Sequence, residues 1–194
     1  MNLQHLQGKL AFLREAERLK SVLRSAHTST GRQESTAEHS WRLALLALVF
    51  EEDLGPLDIA KVLKLCLVHD LGEALAGDIP AVQAQAHGNK DDTERQDLLT
   101  ISASLEPAMQ ASLLALFDEY QAAITPEARA VKALDKLETI LQHTQGDNPA
   151  DFDYHFNLDY GRRYTDATPF LATLRGLLDE ETRKLAEKQK RFTL

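Results

Sequence analysis

Apolar residues recur along this chain at helical intervals. His39, Leu43, Leu46 and Phe50 fall at i, i+4, i+7 and i+11, and Val62, Leu65, Cys66 and His69 at i, i+3, i+4 and i+7, so each set lies on one face of a helix. No stretch shows the period-two alternation or β-branched enrichment of a strand. The expected fold class is all-α.

Helix punctuation divides the chain. A first helix is predicted from about Leu3 to Leu23, followed by a polar loop through about Ser35. Ser35 and Glu38 form a Ser-x-x-Glu capping box that opens a helix carrying His39 and ending near Glu52. Gly55 and Pro56 interrupt before Asp58, an N-cap for the helix that carries His69 and Asp70, whose end Gly72 and Gly77 mark. Positions 78–89 read as a loop with a short helical piece, and helices follow from about Asp91 to Leu105 and Pro107 to Ala123. Thr125 and Pro126 start the helix of Asp135, which Gly146 closes. From there to Pro169 the chain turns aromatic and irregular, with Phe152, Tyr154, Phe156, Tyr160 and Tyr164 spaced as a segment packed onto a surface. A last helix starts at Thr168 and Pro169, and its charged tail beyond Glu180 reads as a solvated face that frays. With no repeat, low-complexity tract or linker, one domain over 1–194 is expected.

Composition narrows the class. With 43% hydrophobic and 27% charged residues, the chain has the balance of a folded globular protein. Its net charge of -8 disfavours a nucleic-acid polymer as partner, because such binding draws on basic residues meeting phosphates. A small substrate suits it better. Cys66 is the sole cysteine and has no internal disulfide partner, so it reads as core packing. Met1 to Leu13 lacks a secretory apolar stretch, and no run approaches membrane-spanning length. These features point to the cytoplasm and away from a membrane.

The candidate chemistry sits on the inward faces. His39 and His69 point to the core, Asp70 lies about 100° round from His69, and Asp135 stands one turn beyond Val131 at the border of an apolar face. Taken singly, each has an ordinary reading, as a hydrogen-bonded core histidine or an ion-pair member. Together, on separate helices, they are hard to satisfy without a cation. Two imidazoles and two carboxylates suit one divalent metal ion, with positions left for water and substrate, and they do not choose among Mn, Co, Zn, Mg, Fe and Ni. Metal-assisted hydrolysis is the leading reading. Glu73, four residues after His69, extends the same stripe if the helix persists, as a proton-handling group or a solvated helix-end carboxylate. Arg32, Lys132 and Lys136 read as cations at the pocket or, in preference for each, on solvated faces, Trp41 as packing in preference to base stacking, and His87 as exposed, while His5, His143 and His155 show no ligand spacing.

The order His39, His69-Asp70, Asp135 resembles the H…HD…D pattern of the HD-domain superfamily of metal-dependent phosphohydrolases. The flanks agree: "ESTAEHSWRLA" around His39, "LCLVHDLGEALAGDIP" from Leu65 to Pro80 and "VKALDKLETILQ" from Val131 to Gln142. They are similar to the branch of bacterial 5'-deoxynucleotidases and their eukaryotic relatives, over roughly Leu10 to His143. The resemblance implies a compact helical bundle with the segment 147–194 packed on it, and His39, His69, Asp70 and Asp135 as ligands of one divalent metal. It implies that Glu73 assists proton transfer, that Arg24 binds phosphate and that Asp78 reads the sugar 3'-hydroxyl. Their competing readings are a surface helix arginine and an Asx-turn before Pro80. The implied substrate is a small phosphomonoester, a 2'-deoxyribonucleoside 5'-monophosphate, and the implied assembly a homodimer. Ser25 stands where some relatives carry tryptophan, so the base or sugar platform differs. Only His87 falls between Asp70 and Asp135, which disfavours a binuclear centre. The rival readings are a non-catalytic nucleotide-binding or regulatory HD module, and an HD hydrolase of another phosphorylated small molecule.

Overall fold

The Asn2 side chain accepts a hydrogen bond from the Gln4 amide and so caps α1, Leu3–Ala16. The computed structural model describes residues 2–78 and 90–192. The loop with a helical piece expected beyond Asp78, His87 with it, and the turn before Pro80 lie outside the described residues. So do the last two residues, where the tail was expected to fray.

The first helix does not reach Leu23. It tightens after Ala16 into a single 3-10 turn, Glu17–Lys20, and the chain then extends. The polar stretch expected as a loop is a hairpin, with β1 Leu23–His27 antiparallel to β2 Gln33–Ser35. The turn is closed by the Thr28 amide donating to Arg32 O at 2.7 Å and the Gly31 amide donating to Thr28 O at 3.0 Å. Strands of five and three residues are too short to show an alternating pattern, and backbone pairing supplies what periodicity does not. Leu23 faces Ser35 while His27 faces Gln33, so β1 carries extra residues between the two pairs. A bulge of that kind re-aims the side chain within it, and Arg24 is that side chain. Its carbonyl accepts from Gln33 Nε2 at 3.1 Å.

The rest is helical: α2 Thr36–Val49, α3 Ile59–Val68, α4 Glu73–Ala76, α5 Lys90–Ile101, α6 Pro107–Ala122 and α7 Pro126–Gln145. Two short pieces follow, α8 Tyr154–Asp159 and α9 Arg162–Thr165, and then α10 Pro169–Phe192. The capping box forms as expected, with the Glu38 amide donating to Ser35 Oγ at 3.3 Å and the Ser35 amide to Glu38 Oε2 at 2.9 Å. Asp58 and Thr125 cap α3 and α7.

Central helix α7 packs on α2, α3, α6 and α10. Its Val131, Leu134, Leu137 and Ile140 are fully buried, together with Leu43, Val62, Leu65 and Cys66. Each buried aliphatic side chain contributes roughly 1.5–3 kcal/mol relative to exposure. A second cluster, including Leu19, Val68, Leu71, Leu98 and Phe117, fills the space where the end of α3 meets α5 and α6. Trp41 is absent from both clusters: it is 63% exposed, because it lies two positions from His39 and so off the inward stripe of α2.

The aromatic segment is held by a buried cation. Arg175 of α10 is 1% exposed. Its guanidinium donates to Asp179 Oδ1 at 2.6 Å, Thr165 Oγ1 at 3.0 Å and the carbonyls of Asn157, Leu158 and Tyr160 at 2.5, 2.9 and 2.7 Å. Such a fork satisfies backbone acceptors that α8 and α9 leave open.

Candidate metal centre

His39 enters the site from the first turn of α2, and His69 is the C-cap of α3. Asp135 comes from the middle of α7. His69 Nδ1 donates to Cys66 O at 2.9 Å, and His39 Nδ1 donates to Glu138 Oε2. Both hydrogen bonds leave Nε2 as the free nitrogen. The two Nε2 atoms are buried without a hydrogen-bond partner. His69 Nε2 is 3.0 Å from Asp70 Oδ2, and His39 Nε2 is 3.2 Å from Asp135 Oδ1 and 3.8 Å from Asp70 Oδ2, none in a hydrogen-bonding direction. Ligand atoms of His39, His69 and Asp70 all lie within 4.8 Å of one another. Nitrogens and carboxylate oxygens gathered at this spacing, with both Nε2 atoms buried and out of hydrogen-bond geometry, fit a divalent cation.

The local field agrees. Burial opposes ionising Asp135 and Asp70, yet Lys136 and His39 around the first, and His69 and His39 around the second, hold both well below the usual carboxylate range. Burial and the Arg24 charge oppose protonating His39, but the carboxylates of Glu138 and Asp135 outweigh them and push it up to about 10. The surroundings favour positive charge at this nitrogen, which a proton or a metal ion supplies.

The helix through His69 stops at Val68, so Glu73 does not continue its stripe. A four-residue turn intervenes and Glu73 opens α4, with its amide donating to Asp70 O at 3.0 Å. The tight turn depends on Gly72, where a Cβ would lie 2.3 Å from Glu94 O on α5. Glu73 is nonetheless buried in the site wall, 2% exposed. Thr36 Oγ1 donates to its Oε2 at 3.2 Å, and Lys90 Nζ is 3.5 Å from its Oε1. Burial, then the Asp70 and Asp78 charges, push the Glu73 carboxyl up to about 9.

Arg24 is a strand residue with only 13% of its side chain exposed, set 3.5 Å from Asp70 Oδ2 and 3.5 Å from Glu34 Oε2. Its Nη2 donates to Thr139 Oγ1 at 3.3 Å. Asp78 lines the same cavity, a space of about 550 Å³ that also reaches Tyr120, Lys132, Lys136 and the aromatic segment. That volume falls within the range of small-molecule sites.

Several residues of the site were read otherwise from the sequence or not singled out. Lys132 and Lys136, expected on solvated faces, line the cavity: Lys136 Nζ is 2.9 Å from Asp135 Oδ2, and Lys132 Nζ sits 3.8 Å above the Tyr120 ring. Standing at i-3 and i+1 from Asp135, they follow the carboxylate around α7 to its polar pocket side. Burial, then the Lys136 charge, lowers Lys132 to about 8. Tyr120 Oη donates to Asp135 Oδ2 at 2.7 Å. Glu138, fully buried, joins His39 to Arg42, whose Nε donates to its Oε1 at 2.6 Å. Its spacing of i+3 from Asp135 was the available signal. Glu34 has no such signal, because a three-residue strand carries no readable periodicity.

Comparison with known proteins places the chain. Residues 16–175 match the family model described as HD domain. The human 5'-deoxynucleotidase HDDC2 is 33% identical over 138 residues, covering 70% of this chain and 67% of that protein. The 5'-deoxynucleotidase hdd1 of Schizosaccharomyces pombe is 32% identical over 148 residues, covering 73% and 74%. A predicted metal-dependent phosphohydrolase from Magnetospirillum magnetotacticum MS-1, known from its crystal structure, superposes with a TM-score of 0.76 at 28% identity, over 93% of this chain and 96% of that one. The cyanophage S-2L HD phosphohydrolase DatZ, solved bound to dA and one catalytic Zn2+ ion, shares the fold at a TM-score of 0.58 and 22% identity, over 88% and 96%. With the match running through the helices that bear both histidines and both aspartates, the chain belongs to the HD domain family.

Proposed function

We propose that this chain is a metal-dependent phosphohydrolase of 2'-deoxyribonucleoside 5'-monophosphates, releasing deoxynucleoside and inorganic phosphate. His39, His69, Asp70 and Asp135 are the residues that hold one divalent metal ion. The observation that carries this reading is the pair of buried, partnerless Nε2 atoms facing two ionised carboxylates. The naming of the HDDC2 and hdd1 relatives as 5'-deoxynucleotidases supports the substrate class. A divalent ion bound there supplies Lewis-acid polarisation of the phosphate and a lowered pKa for attacking water.

The remaining roles fall to the chain itself. Arg24, fixed by Glu34 and Thr139, offsets phosphate charge with a planar fork suited to its oxygens. Glu73 orients the attacking water and takes its proton, or returns one to the leaving 5'-alcohol. Lys132 and Lys136 add positive potential where the phosphate enters. Asp78 accepts from the 3'-hydroxyl and crowds out a 2'-hydroxyl. Replacing Glu73 by glutamine is expected to cut phosphate release from deoxynucleoside monophosphates by about 10²–10⁴-fold while metal content per chain stays unchanged. A fully active variant would sink the assignment.

In the same reading the whole chain works as one domain, in the cytoplasm and as a homodimer. Among the described residues no helix is long and apolar enough to cross a membrane. The dimer draws support from an uncovered stripe on α2, where Trp41, Leu45, Leu48 and Val49 are 63%, 42%, 47% and 66% exposed.

A further inference from the structure

The cavity that holds the metal residues has three differently built flanks. On the hairpin side it is lined by Arg24, Ser25 and Ala26, with no ring. On the α4–α5 side it is lined by charge, from Glu73, Asp78, Lys90 and Glu94. On the third side stand Phe152, Phe156 and Tyr160 of the segment after α7, each half-buried. Among the described lining residues the other rings are Tyr120, committed between Lys132 and Asp135, and His143, tied by Nδ1 to Asn157.

We infer that Phe156 and Tyr160, backed by Phe152, form the platform on which the nucleobase of the substrate stacks. This rests on the deoxynucleotidase reading and adds the part of the site that holds the base. Phe156 and Tyr160 lie with centroids 4.9 Å apart and planes tilted by 31°, so they pack on each other as one aromatic block in the cavity wall. Phe152 extends the apolar surface toward His143, edge-on at 4.8 Å.

The platform sits at nucleotide distance from the cation residues. Lys136 Nζ stands between them, 2.9 Å from Asp135 Oδ2 and 5.0 Å above the Tyr160 ring centre. The Tyr160 ring is therefore no more than about 8 Å from that carboxylate, within reach of one nucleotide, and a base on Tyr160 shares its face with the Lys136 ammonium. The approach is built in: Gly161 has φ +70°, and a Cβ there would lie 2.5 Å from Lys136 Cγ, so a side chain at this position would push α9 and Tyr160 off α7. Arg175 holds the Tyr160 and Asn157 carbonyls from behind. The rings are thus rigidly supported, which limits the entropy lost on stacking.

Stacking of a base on an aromatic side chain contributes about 1–3 kcal/mol and tolerates every base, which corresponds to roughly 10-fold or more in affinity. Calorimetric titration of the metal-loaded protein, with Glu73→Gln present throughout to suppress turnover, against the four deoxynucleoside 5'-monophosphates and 2-deoxyribose 5-phosphate tests the inference, wild type below meaning the unaltered aromatic segment. The wild type is expected to bind the nucleotides at least 10-fold more tightly than the baseless sugar phosphate. Phe156→Leu, which keeps apolar bulk and removes the ring, should weaken all four nucleotides about 10-fold and leave the sugar phosphate unchanged. Phe156→Trp should retain nucleotide affinity. Equal binding of nucleotide and sugar phosphate by the wild type, unchanged nucleotide binding in Phe156→Leu, or equal loss for both ligands would overturn the platform. If no phosphomonoester is hydrolysed, the deoxynucleotidase reading fails, while ring-dependent nucleotide binding still upholds the platform.

Discussion

At the scale of single residues, the imidazoles are set by what touches their far nitrogens. Glu138 accepts from His39 Nδ1 and is itself gripped by Arg42, so it fixes which nitrogen of His39 faces the cation. Partners of this kind typically change metal affinity by 10–100-fold. Glu138→Gln, which keeps an acceptor and loses the charge, is expected to lower affinity about 10-fold in chelator competition. Glu138→Ala, which leaves His39 and Arg42 facing nothing, should approach 100-fold. Unchanged affinity in both would remove Glu138 from this role.

His143 shows the opposite logic. It is buried, donates from Nδ1 to Asn157 Oδ1 at 2.8 Å, and is held down to about 4 from 6.5, chiefly by burial, with the Arg24 charge adding to it. The unfolded chain takes up this proton below pH 6.5 and the folded chain resists until about pH 4. Stability therefore falls as pH drops through that window, by on the order of 3 kcal/mol in total. His143→Gln should flatten that part of the curve, read as urea midpoints at pH 7, 5.5 and 4. A slope identical to wild type would show that His143 does not titrate this way. Of the four proposed ligands, His39 and His69 were legible because helical spacing put them on inward faces, while Asp70 and Asp135 needed the H…HD…D pattern to complete the set. The lysines beside them were read as solvated faces in preference to the pocket, since periodicity shows whether a position faces inward and not whether a cavity lies there.

At the scale of elements, the helices could be read and the connections could not. Caps such as Ser35, Asp58 and Thr125 act locally, so their sequence signals held. The hairpin that presents Arg24 depends on pairing between stretches whose order comes from contact with α7 and α2. The same holds for the aromatic segment, whose rings were visible but whose anchor was not. Nothing local marks Arg175 as buried, because its carbonyl acceptors lie 15 to 18 residues away in sequence. Replacing Arg175 by alanine strips partners from those carbonyls and leaves the Asp179 carboxylate without its closest cation. A loss of about 3–5 kcal/mol is expected, measurable by chemical denaturation. A cost below about 1 kcal/mol, the size of a surface pair, would show that α8 and α9 do not need the clamp.

At the scale of the whole molecule, the net charge of -8 continues into the cavity, whose lining holds more carboxylates than cations even with Arg24, Lys132 and Lys136 there. Such a field turns away polyanions, and acceptance of a single phosphate is expected to depend on a bound divalent cation as well as on these three side chains. The stripe on α2 belongs to this scale too, because among the described residues its Trp41, Leu45, Leu48 and Val49 stay exposed. Sedimentation equilibrium is expected to give twice the 21.7 kDa chain mass, and Leu48→Glu to give the single chain. A wild-type monomer at micromolar concentration would rule the dimer out.

The last turn of α3 ends in an unusual stopper. The Cys66 carbonyl, which an uninterrupted helix would offer to the next turn, is taken by the ring of His69. With a cation at its other nitrogen, the same imidazole would be the more strongly polarised donor to that carbonyl. Added metal is therefore expected to raise hydrogen-exchange protection at the end of α3, beyond what the ring already provides alone.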